Sequence, residues 1–176
     1  EVGTGSGLTT TLVRTVSTWG FATIQATEIQ SLVPSTGLVV ARNTVVPLAR
    51  VLLKTVEPNS IARLLAWRMG RSGLGLPTDA KVYISISPAD VGSYSASQVV
   101  KIGTGSFQDR LVTVTLTNKP FLTDTAPRAF WLAAEIQPHA MVGATWAVQF
   151  DPRSFVGQGS FQMEGQAFPY QTPFLR

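Results

Sequence analysis

The sequence contains no cysteine, which excludes disulfides and thiolate metal sites. It contains one histidine, His139, so a transition-metal centre would have to be built from scattered carboxylates. Charge is scarce as well: 14% of the 176 residues are charged, against about a quarter in a typical globular chain. So little charge leaves a normal monomer surface under-covered, and part of that surface is expected to be buried against partners. Long apolar runs are missing. "SLVPSTGLVV" and "VPLARVLL" are broken by Pro, Gly or Arg within ten residues, short of the roughly 20 that a membrane helix needs. No secretory signal is present, and no membrane partner is expected.

Catalytic patterns are equally thin. The ten acids are spread singly, mostly at turns (Glu57, Asp79, Asp90, Asp109, Asp124, Asp151), with no pair that marks itself as acid and base. No G-x-S-x-G elbow accompanies His139, which sits in the turn "QPHAMVG". The glycine clusters "GTGSG" (3–7), "GRSGLG" (70–75) and "GTGS" (103–106) complete no phosphate-binding loop. These absences point away from an enzyme, a cofactor or a resident metal.

What is abundant is β-forming composition. Thr, Val, Ile and Ser dominate, and Gly or Pro recurs every eight to fifteen residues. In "DRLVTVTLTN", Val112, Val114 and Leu116 alternate with threonines, and in "AKVYISIS", Val82, Ile84 and Ile86 oppose Lys81, Tyr83 and Ser85. "TWGFATIQATEI", "RAFWLAAEI" and "ATWAVQF" read as further strands. "PLARVLLKTV" (47–56) and "SIARLLAWRM" (60–69) are open between helix and strand. The second favours strand, with Ile61, Leu65, Trp67 and Met69 on one side and Arg63 as the exception. "GSYSASQVVKIG" (92–103) carries the signal of one short helix capped by Ser93 or Ser95. Seven to nine short strands in one domain predict an all-β antiparallel sandwich or barrel.

The basic residues form the one suggestive grouping. Net charge is +4, and Arg outnumbers Lys within the 14 basic residues. Arg63, Arg68 and Arg71 fall close together, which suits either a solvated face or a surface that grips a polyanion without reading its sequence.

Scattered stretches resemble the coat proteins of bromoviruses and cucumoviruses, small icosahedral positive-strand RNA plant viruses; an ourmia-like coat fits as well. They are "ARVLLKTVEPNSIARLLAWRM", "VYISISPADVGSYSASQVV", "FWLAAEIQPHAMVGATWAVQFDP" and the terminal "QTPFLR", together spanning about residues 45–176. The resemblance implies a single-domain jelly-roll β-sandwich with one or two short helices and an extended C-terminal arm. It implies a capsid protein that self-assembles into an icosahedral shell and encapsidates viral RNA through non-specific basic contacts. Such a protein resides in the virion, and in host cytoplasm during assembly. In that family a basic N-terminal arm binds RNA, yet residues 1–13 hold no Lys or Arg. They are expected to be a flexible linker at the end of a basic arm preceding Glu1, followed by the shell domain (14–156) and the arm (157–176). On this reading Arg63, Arg68 and Arg71 make RNA or inter-subunit charge contacts, and Phe168, Pro169, Tyr170, Pro173 and Phe174 form a subunit-exchange arm. The competing expectation is a non-enzymatic β-sandwich binding module of carbohydrate-binding or adhesion type. For the tail, the competing expectation is that it folds back on its own domain.

Overall fold

The computed structural model describes residues 22–87, 94–157, 163–164 and 170–176. Residues 1–21, and with them the linker reading, lie outside that range, as do Phe168 and Pro169. The described chain is almost entirely antiparallel β structure in two packed sheets. Its strands are β1 (Ile24–Ser31), β2 (Val45–Thr55), β3 (Ile61–Ser72), β4 (Ala80–Ile86), β5 (Val100–Ser106) and β6 (Leu111–Thr115). They continue as β7 (Phe121–Thr123), β8 (Arg128–Ile136), β9 (Ala147–Phe150), β10 (Phe155–Gly157), β11 (Met163–Glu164) and β12 (Tyr170–Gln171).

The first sheet runs β11-β1-β2-β8-β4-β5. The second is centred on β3, with β6 and β7 along one edge and β9 and β10 along the other; β12 pairs with the far edge of β9. The antiparallel pairs are nested in sequence: β4 with β5, β3 with β6, β2 with β8. Nesting of this kind wraps one long hairpin into a sandwich. An eight-stranded jelly roll would add a fourth pair, β1 with β9. Instead β1 lies beside β2, and β12 takes the place next to β9.

Local chemistry explains several of these elements. "EPNS" turns β2 into β3: Asn59 adopts a positive φ of 58°, which its side chain tolerates, and Ser60 Oγ donates to Glu57 O at 2.6 Å. Both ambiguous segments are strands, because β-branched and apolar residues fill their inward positions. Pro47 has no N–H for the ladder, and the β2–β8 register shifts there.

Two sequence expectations need correction. Along β3, Trp67, Met69 and Arg71 point inward as the alternation requires, but in the first half Ala62 and Leu64 are the buried residues. Ile61 and Leu65 therefore face out with Arg63. The phase changes because β3 itself carries a bulge: Leu65 is the extra residue between Leu64, opposite Gly157, and Ala66, opposite Val156. The helix expected within 92–103 is not formed among its described residues. Ser95–Val99 make a single turn, and Val100, Lys101 and Gly103 then pair with β4. Among the described residues the helical content is two three-residue 3-10 turns, Pro77–Asp79 and Pro152–Ser154.

The core lies between the sheets. Trp67 is fully buried, edge-on to Phe150 at 5.0 Å and beside Phe155 at 4.6 Å. Trp131, by contrast, points to the outer side of the first sheet, opposite Arg50 and Ser85, and is still 0% exposed. Tyr94, from the β4–β5 connection, covers it at 5.8 Å, and the Arg50 guanidinium lies over its ring at 5.8 Å.

Candidate functional site

The C-terminal residues join the sandwich. After β12, Thr172 N donates to Val148 O and Val148 N donates to Thr172 Oγ1. Leu175 and Trp146 exchange two backbone hydrogen bonds, at 2.8 and 3.0 Å. On its other side the segment is bonded to residues 38–40: Leu38 N to Phe174 O, Arg176 N to Leu38 O, and Val40 N to Arg176 O. It is thus an inserted strand, hydrogen-bonded along both edges. Gly37 makes room for it, since a Cβ there would lie 2.7 Å from Phe174 O. Of the five arm residues read from the sequence, Tyr170, Pro173 and Phe174 are described, and all three are partly buried against their own domain. Tyr170 stacks on Phe150 at 5.1 Å. Within one chain, then, the tail folds back.

This strand borders a cleft of about 320 Å³ at one end of the sandwich, lined by Val39, Ile136, Met141, Val142, Trp146 and Leu175 among others. Large apolar side chains stay exposed around that end: Leu38, Val39, Leu74, Leu76, Met141 and Val142. Asp79, buried beneath it, is occupied locally; its two carboxylate oxygens accept from Leu76 N and Met141 N. His139 is an exposed turn residue whose Nε2 lies 3.0 Å from Thr78 O.

The three arginines separate into two and one. Arg63 and Arg68 lie on the outer face of the second sheet, Arg63 over the Phe121 ring at 4.2 Å. Arg71 faces inward and is 9% exposed; its Nε donates to Asp109 O at 3.2 Å and its Nη1 to Gly75 O. Its charge is spent on tying two loops, because the inward phase of Trp67 and Met69 extends to position 71.

The sequence reading missed Arg153, which joins Arg68 in a second cleft on that outer face. The isolated glycine in "RMGRS" marks a bulge or close approach on β3, but no sequence signal ties Arg153 to it.

The outer face of the first sheet carries a different cluster. Tyr83 donates to Glu135, Lys101 Nζ sits 3.5 Å above the Tyr83 ring, and Gln137 Nε2 donates to Glu135 Oε2 at 3.2 Å. Burial, then the hydrogen bond to Glu135 and its charge, push the Tyr83 phenol up to about 12. The same hydrogen bond, with help from Gln137, Lys81 and Lys101, lowers Glu135 below the usual carboxylate value despite some desolvation.

Among the described residues, no group of three His, Cys, Asp or Glu side chains is placed to hold a metal, and no helix is long and apolar enough to cross a membrane. No protein-family model matches the chain, and no curated protein aligns with it significantly.

Proposed function

We propose that this chain is the shell-forming domain of an icosahedral capsid protein, assembling with copies of itself around RNA. The observation that carries the reading is the uncovered apolar end of the sandwich, built around the inserted C-terminal strand. Six large apolar side chains exposed around one end are the kind of grouping that marks a protein–protein contact, and a second copy is the partner that a self-assembling shell supplies. The nested strand pairing supports the same reading, since it is three-quarters of a jelly-roll ladder. The two-edged seat of the tail supports it too, because a strand held only by backbone bonds and a few anchors can be supplied by a neighbour's chain. Exposed Arg68 and half-buried Arg63, neither in an ion pair among the described residues, would serve RNA contact. Arg71 would not.

The test is assembly. Purified protein should form closed particles by electron microscopy and light scattering. The exposed pair change Met141→Lys with Val142→Lys should block particles while leaving the β-sheet circular dichroism unchanged. A wild-type protein that stays monomeric at high concentration across salt and pH would count decisively against a shell role.

A further inference from the structure

We propose that the outer face of the second sheet carries a transverse trough that binds the phosphodiester backbone of single-stranded RNA, with Arg68 and Arg153 as its phosphate contacts. The trough follows from register. Leu111 on β6, Gly70 on β3, Gln149 on β9 and Gln171 on β12 stand directly opposite one another across four strands. Gly70 has no side chain, and the Gln149 side chain lies down over it, so the middle of this row stays low; a Cβ there would lie 2.9 Å from Gln149 Cγ and 3.0 Å from its Nε2.

Beside that row the sheet opens. β3 pairs with β9 down to Gly70 and with β10 from Trp67, which leaves Arg68 and Met69 unpaired on this edge, where residues 151–154 connect β9 to β10. The result is a cleft of about 510 Å³ lined by Arg68, Arg153, Gln149, Gln171, Leu111 and Asp151, among others.

Its chemistry suits a polyanion strand. Arg68 and Arg153 are exposed and form no ion pair among the described residues. The one acid of the cleft, Asp151, has an oxygen engaged locally, accepting from Arg153 N at 2.7 Å. Guanidinium groups match phosphate oxygens bidentately, and the two glutamine amides offer donors and acceptors to ribose or base edges. Exposed Leu111 in the cleft is an apolar surface on which an unpaired base can rest. A duplex keeps its bases stacked inside and has no use for them. Naming RNA as the polyanion rests on the capsid reading; the anion-binding trough does not.

The experiment titrates the whole chain with a fluorescein-labelled oligouridylate across a salt series. Arg68→Gln with Arg153→Gln should weaken binding roughly tenfold or more and reduce the log–log salt slope by about 1.4, two contacts at ~0.7 each. Gly70→Val, which raises the floor by displacing the Gln149 side chain without removing charge, should weaken it as well. Lys101→Gln, on the outer face of the other sheet, should change it little. Equal loss from Lys101→Gln, no loss from the arginine pair, or equally tight binding of a duplex of the same length would overturn the proposal. So would loss of self-association with oligouridylate binding intact, because the trough would then hold an acidic surface of another copy. Particle formation is scored separately. Wild-type protein that binds oligouridylate through this trough but never assembles refutes the shell reading and supports the trough.

Discussion

Leu175 and Trp146 are joined by a reciprocal pair of backbone hydrogen bonds, and the Leu175 side chain is 2% exposed in the core. The tail therefore belongs to the sandwich. Leu175→Ala should destabilise the domain by about 2–4 kcal/mol, read as a lower urea midpoint with unchanged slope. Removing residues 170–176 should lower thermal stability further, because Trp146, Val148, Leu38 and Val40 lose backbone partners together. A synthetic peptide of residues 168–176 added to the truncated protein should restore part of that stability, as strand addition in trans. Truncation with no effect on stability would contradict the docking seen here.

Arg71 and Arg68, three residues apart in sequence, should behave oppositely. Arg71→Ala leaves the carbonyls of Asp109 and Gly75 without their donor and should cost about 2–3 kcal/mol in chemical denaturation. Arg68→Ala, at an exposed position, should stay within about 0.5 kcal/mol. Similar losses for both would show that position 71 is not the buried tie.

The contrast marks how far the sequence could be read. The strict alternation of Val112, Val114 and Leu116 placed β6 and its inward face correctly, because a regular strand has only that period to follow. Two-residue periodicity failed in β3, where a bulge at Leu65 reverses the phase; the bulge is set by pairing with β10, a tertiary event that no turn or breaker residue in "SIARLLAWRM" marks. The candidate site was legible to the same degree. Arg68 was found from composition. Arg153 was not, because it reaches the same cleft only through pairing of β9 and β10 along one edge of β3.

Tyr94 is the lid over Trp131. Tyr94→Ala should expose the indole to water, raising its acrylamide quenching against a Trp131→Phe control, and should cost about 1–2 kcal/mol of stability. Burial raises the Tyr94 phenol, consistent with a ring pressed on the sheet. Unchanged quenching would mean that another segment covers Trp131.

The Tyr83–Glu135 pair should leave a signature at both ends of the pH scale. Glu135 titrates below its ordinary value of 4.5 in the fold, chiefly through the Tyr83 hydroxyl, so folding favours its ionised form. That contribution is present above the unfolded value and is lost as pH falls through the folded one. Tyr83 is raised from 10.0 to about 12, so folding favours the neutral phenol; that contribution is present below 10 and is lost as pH rises towards 12. Tyr83→Phe removes the shared proton donor and should flatten the acid and alkaline limbs of the thermal-stability profile together, with little change near neutrality beyond a uniform offset. Lys101→Gln removes the ammonium above the ring and a lowering influence on Glu135, and should flatten the acid limb only in part. A Tyr83→Phe profile parallel to wild type at both limbs would show that the hydroxyl and the carboxylate are not coupled.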